Sequence, residues 1–136
     1  ATEEQAWAKA DRIHADTAAV LAGASSGDTL SFARPLHREQ NAVSADRLQQ
    51  HARRGDVHDE RLWLGITRLT GPSGNSTAPV GTAAQVAEAL LKYYDLGVTR
   101  FLIRGFDPLA DVQEWGAELI PALREGARLR DRARAA

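Results

Sequence analysis

Two arginines and a polar, glycine-bearing loop are the residues of this sequence best suited to chemistry. Arg68 follows one short apolar run and Arg104 ends another. Between them lies Thr70-Gly71-Pro72-Ser73-Gly74-Asn75-Ser76-Thr77. A guanidinium is a fixed cation with a planar fork of donors, and a glycine-containing loop can turn its backbone amides toward an anion. Asn75, Ser76 and Thr77 add short polar side chains, and Phe106 stands just beyond Arg104 as an apolar wall. Plainer readings exist for each: a salt bridge at a rim for Arg104, simple exposure for Arg68, turn formation and capping for residues 75–77, and packing for Phe106. His14, His37, His51 and His58 show no metal-ligand spacing, so no metal is expected.

The elements that would position these residues read as a βαβα unit. Leu62-Trp63-Leu64-Gly65-Ile66-Thr67 and Arg100-Phe101-Leu102-Ile103-Arg104 are short and mostly apolar, as strands buried on both faces of a parallel sheet are. Strands are therefore expected at 62–67 and 100–104. Thr82 and Gln85 have capping-box spacing, which starts a helix at 83–96 with Val86, Leu90 and Tyr93 on one stripe and Glu88 and Lys92 spaced to pair outside. Gly97 ends it. Asp107 and Pro108 suit the N-cap and first position of a helix at 108–124, whose apolar face would be Leu109, Val112, Trp115, Leu119 and Leu123, with Pro121 bending its later turns. A right-handed crossover makes the two strands parallel, and ligands in such folds bind where the strands end.

Upstream, Thr2 and Gln5 again have capping-box spacing, and Trp7, Ala10, Ile13 or His14, Thr17, Val20 and Leu21 give a helix at 1–22 an apolar side. Residues 29–61 form an insertion with a thin-faced helix from about Ser44 to Arg53, either a mobile lid or a solvated surface helix between ordinary loops. As a lid it could bring Arg34, His37 and Arg38 to a substrate. The Arg-rich tail at 125–136 has helical propensity but little apolar content, which predicts a frayed, solvated helix end.

At 136 residues, 43% of them hydrophobic, the chain suits one domain. A net charge of -1 gives no reason to expect nucleic acid or an anionic membrane as partner, and no apolar run approaches the roughly 18 residues of a membrane span. The lack of cysteine excludes disulfides and thiolate chemistry and fits a cytoplasmic protein. Two strands are too few for a sheet covered on both faces, so the expected fold class is α/β, the C-terminal part of a larger (β/α) fold.

The segment Asn75-Ser76-Thr77-Ala78-Pro79-Val80-Gly81-Thr82, continuing through Tyr94-Asp95-Leu96-Gly97-Val98 to Phe101-Leu102-Ile103-Arg104-Gly105-Phe106-Asp107-Pro108-Leu109, closely resembles the end of luciferase-like flavin-dependent monooxygenases of the alkanesulfonate branch. Thr2-Glu3-Glu4-Gln5-Ala6-Trp7, Ser44-Ala45-Asp46-Arg47-Leu48 and Leu62-Trp63-Leu64-Gly65 are similar to earlier parts of the same region. The resemblance implies the C-terminal portion of a (β/α)8 TIM barrel, with 62–67 and 100–104 as its seventh and eighth strands and 29–61 as its lid.

It also implies a two-component enzyme. A flavin reductase would supply reduced FMN, which with O2 would oxidise the carbon bearing a sulfonate and release sulfite. A related barrel that moves hydride with F420 is the alternative cofactor reading. Arg104 and Arg68 are the implied catalytic cations; Asn75, Ser76, Thr77 and Phe106 would contact substrate or flavin. Alkanesulfonate monooxygenases carry Tyr where Phe106 stands and an arginine where Pro72 stands, which leaves open a shifted cation or a different small organic substrate. The implied partners are a reductase, an N-terminal barrel segment or second chain, and further copies in a homo-oligomer; by itself the chain is not expected to turn over. A non-catalytic module would instead show exposed apolar strand edges at 62–67 or 100–104.

Overall fold

The structure, a computed structural model, describes residues 1–23, 43–71 and 76–136. Helix α1 (Glu3–Leu21) begins at the capping box that Thr2 and Gln5 spell out, each bonding the other's backbone amide, with Glu3 and Glu4 in the first turn where the helix dipole favours acid. Its inner face, Ala6, Trp7, Ala10 and Ile13, packs on Trp63, Ile66 and Val80 to form one apolar core. Thr17, fully buried, returns its hydroxyl to the Ile13 carbonyl (2.7 Å). Helix α2 (Val43–Arg54) carries the thin apolar face expected of it, with Ala45 and Ala52 buried. The described residues contain no helix long and apolar enough to cross a membrane.

The sheet differs from the expected one. Strands β1 (Val57–His58), β2 (Leu62–Trp63) and β3 (Ala78–Pro79) pair antiparallel in that order, Val57 opposite Trp63 and Trp63 opposite Ala78. Asp59 and Glu60 adopt left-handed backbone angles (φ 45° and 71°), which reverse the chain and fold β2 back on β1. The apolar run at 62–67 is thus two residues of strand followed by helix α3 (Gly65–Thr70). Buried short runs have no diagnostic period, so strand and helix read alike. Gly65 makes the switch possible: a Cβ there would lie 2.3 Å from the Trp63 indole, which folds back over it.

The run at 100–104 is corrected as well. It joins no sheet among the described residues, although burial alternates along it: Phe101 and Ile103 are half-buried, and Leu102 (91% exposed) and Arg104 face solvent. The strand periodicity is present without a neighbouring strand to complete a ladder.

Helix α4 (Ala83–Asp95) starts at the Thr82–Gln85 capping box and ends before Gly97 (φ 98°). Helix α5 (Pro108–Glu114) is capped by Asp107, whose carboxylate accepts the Ala110 amide. A π-helical turn at Trp115–Leu119 follows, in which the Ile120 amide reaches back five residues to the Trp115 carbonyl, and helix α6 (Ile120–Ala135) continues from it. Pro121 has no amide to donate and its ring crowds the carbonyl four residues back; the widened turn before it lets the helix go on. Leu109 and Val112 are not on the inner face as expected but 71% and 61% exposed. The inward stripe is Asp111, Trp115 and Leu119, and the latter two pack with Val86, Ala87 and Leu123 in a second core.

The Arg-rich tail is helical to Ala135 and clasps α4, which corrects its reading as a frayed end. Arg130 pairs with Glu88 (2.8 Å) and Asp95 (3.0 Å), and Arg134 pairs with Asp95 (2.9 Å) and lies over the Tyr94 ring. Tyr94 donates its hydroxyl to Asp131 (2.6 Å), which holds the Tyr94 pKa above its ordinary value. Glu88 consequently does not pair with Lys92, which bonds Glu60 instead.

Candidate functional site

Beyond α3, one residue bonds both Gly71 and Ser76. Buried Thr67 donates both its hydroxyl (2.7 Å) and its amide (3.1 Å) to the Ser76 carbonyl, so that Gly71 and Ser76 emerge from a fixed base. Gly71, at φ 72°, makes the turn that a side chain would strain, and its amide bonds the Thr67 carbonyl. Ser76 is buried and Thr77 exposed. Asn75, Pro72 and the lid residues Arg34, His37 and Arg38 lie outside the described residues.

Arg68 projects from α3 on the side away from the core. Its guanidinium pairs with Asp56 and borders a cavity of about 250 Å³ shared with Gln49, Ala52, Arg53, Thr67 and Gly71. Sequence reasoning passed over Gln49 and Arg53; their i,i+4 spacing on α2 was visible, but nothing local said that α2 would face α3.

Arg104 is exposed and has no ion pair among the described residues. Phe106 packs against the core of Ala10, Trp63, Ile66 and Val80. The turn between Arg104 and Asp107 wraps around Asp111, another residue that sequence reasoning missed. Only 3% exposed, Asp111 accepts the Asp107 amide at Oδ2 (3.0 Å) and the Lys9 ammonium at Oδ1 (2.7 Å). A Cβ on Gly105 would fall 2.0 Å from Asp111 Oδ2, so only glycine fits. Partial burial works against the Lys9 charge, but the bonds to Asp111 and to Glu114 (3.2 Å) outweigh it and raise the Lys9 pKa.

The structure thus brings Thr67, Arg68 and Ser76 together, and no contact among the described residues joins Arg104 to Arg68. Ile66 and Arg68 show why. Two positions apart on α3, they point to nearly opposite sides, Ile66 toward Phe106 and Arg68 toward α2. A second cavity of about 230 Å³, largely apolar, lies between the β1–β2 hairpin and α4 and includes Leu62, Pro79, Leu90, Tyr93 and Phe101. Burial and then the hydrogen bond to Asp59 (2.9 Å) raise the Tyr93 pKa at its edge. No cluster of three or more metal-ligating side chains occurs among the described residues.

No solved structure matches the chain. Residues 1–100, more than half of the chain, match the family described as luciferase-like monooxygenase. They span α1 through α4, including the Thr67–Ser76 closure and Arg68. The chain belongs to the luciferase-like monooxygenase family.

Proposed function

We propose that this chain serves a two-component monooxygenase that uses reduced FMN and O2 to oxidise an alkanesulfonate or a related small organic substrate. The family supports the coarser part of this reading: its fold is a (β/α)8 barrel, and its members are oxidoreductases that bind flavin or F420. The observation that carries the finer part is Arg104, an exposed guanidinium with no ion pair among the described residues, at the end of an extended segment and beside a turn fixed by Asp111. An exposed cation at such a place suits a sulfonate and the charge that develops as sulfite leaves.

Two cavities among the described residues, about 230 and 250 Å³, fall short of the roughly 300–1,000 Å³ of pockets that bury a ligand of drug size. In the proposal, therefore, the flavin is held mainly by barrel strands supplied by an N-terminal segment or a second chain, and this chain contributes anion recognition. A separate reductase and a cytoplasmic setting belong to the same reading.

The test is oxygen-dependent sulfite release from short alkanesulfonates by the intact polypeptide with reduced FMN, set against F420 reduction under the same conditions. Arg104→Ala should cost about 2–4 kcal/mol of transition-state stabilisation, the scale of one lost preorganised donor. A fall in rate of less than about tenfold would leave Arg104 as scaffold. A second reading, a module that associates with another polypeptide, is favoured by Leu102, 91% exposed on a segment that joins no sheet among the described residues. Binding of a partner with no turnover under either cofactor would select it.

A further inference from the structure

We infer that the cleft between α2 and α3 is a binding site for a tetrahedral oxyanion, with Arg53, Arg68 and Gln49 as its donors. Among the described residues its lining includes two arginines, a glutamine and a threonine, and no carboxylate. Asp56 stands outside the lining and takes one arm of Arg68. A guanidinium has five N–H donors, so that pairing leaves others for a ligand. Arg53 has no ion pair among the described residues.

The remaining polar groups explain which donors are free. The Thr67 hydroxyl is committed to the Ser76 carbonyl and the Gly71 amide to the Thr67 carbonyl, so neither serves the ligand. The Gln49 carboxamide nitrogen comes close to Gly71, where a Cβ would lie 3.3 Å from it, which places this group at the cavity edge. Ala52, 2% exposed, forms the floor and closes the cleft to anything reaching deeper. Donors from two helices thus converge on a volume of about 250 Å³. That suits a sulfate, a phosphate or a sulfonate with a short organic tail, and it is below the usual size of pockets for larger ligands. Arg53 also complements the dipole of the last turn of α2, which would account for one cation but not for Arg68 facing it from α3 across the cleft.

The inference rests on the proposed function only for which anion is natural, and binding can be read without turnover. Isothermal titration calorimetry of the intact polypeptide with sodium sulfate, inorganic phosphate and methanesulfonate, at ionic strength held constant with chloride, should give saturable binding. Arg53→Ala and Arg68→Ala should each weaken it at least about fivefold, and Arg68→Lys, which keeps the charge and loses the fork, should fall between. Arg128→Ala, a change to an exposed cation of α6, should leave it unchanged. Thermal unfolding without added anion reports whether each variant is folded; if Arg68→Ala is not, Arg53→Ala and Arg68→Lys decide. A preference for methanesulfonate assigns the site to a sulfonate substrate, and a preference for phosphate assigns it to a phosphate-bearing ligand. Absence of saturable binding, no loss in the Arg53 and Arg68 variants, or an equal loss in Arg128→Ala would overturn the inference. Oxygen-dependent turnover could survive that result, and the site could survive the absence of turnover.

Discussion

Replacing Asp111 with alanine removes a side chain that ties α1, α5 and the turn after Arg104 together. Two interactions go at once: the bond from Lys9 Nζ (2.7 Å) and the bond from the Asp107 amide (3.0 Å). An amide left without an acceptor in a partly buried place costs about 1–2 kcal/mol. Breaking a fully buried ion pair would cost about 3–5 kcal/mol, but Lys9 is 43% exposed and keeps Glu114, so the charge it is left with stays hydrated. The expected loss is therefore about 2–3 kcal/mol, and Asp111→Asn, which keeps the shape and one acceptor, should lose about half of that. Equilibrium unfolding in urea followed by far-UV circular dichroism should show the midpoint falling by roughly 1–2 M. A double-mutant cycle with Lys9→Ala should return a coupling of about 1 kcal/mol. A loss below about 0.5 kcal/mol, or additive single changes, would refute the idea that Asp111 is a latch.

Gly65→Ala should destabilise by about 1–3 kcal/mol, because the new methyl group meets the rigid indole of buried Trp63 and not the end of a flexible chain. Urea unfolding measures the loss and a shift in tryptophan emission locates it; an unchanged midpoint would mean that the indole does not lie over Gly65. Alkaline pH should also unfold the chain. The Lys9 pKa is raised above 10.5 and those of Tyr93 and Tyr94 above 10.0, so the stability they lend is complete below those ordinary values and is lost as pH rises through the higher folded-state ones. Urea midpoints at pH 9 and pH 11 should differ, and Lys9→Met with Tyr93→Phe should narrow the gap; equal midpoints in the unmodified protein would show that these groups titrate alike folded and unfolded.

What the sequence made legible was local. Thr2 with Gln5, Thr82 with Gln85, and Asp107 with Pro108 start helices where their spacing says they should, since each satisfies donors within one turn of chain. The same holds for Gly97 and for the Trp7, Ala10 and Ile13 face of α1. What stayed hidden depends on partners far away in sequence. The apolar run at 62–67 satisfied a strand template, but the hairpin at Asp59 and Glu60 and the indole over Gly65 decide its conformation. Leu109 and Val112 looked inward by period alone, and Lys9, more than a hundred residues away, turned the Asp111 side of α5 inward instead. The tail lacked apolar residues and so read as loose; its stability comes from Asp95 and Glu88 on another helix.

Arg68 and Arg104, two of the residues proposed to meet an anion, share a mode of support that follows from this. Neither is held by a sheet ladder. The loop beyond Arg68 is fixed where Thr67 grips the Ser76 carbonyl, and the turn beyond Arg104 where Asp111 grips the Asp107 amide. In both, a side chain on a helix bonds the backbone beyond a cation, and a glycine makes room: Gly71 takes a positive φ in one, and Gly105 leaves space for Asp111 in the other. A ladder fixes a whole strand at once, whereas a latch of this kind fixes one point and leaves the segment before it free to pair. The alternation of Phe101, Leu102, Ile103 and Arg104 is that of a strand ready for such pairing. Strand addition along 101–104 would therefore complete a sheet without moving Arg104 from the place that Asp111 already sets.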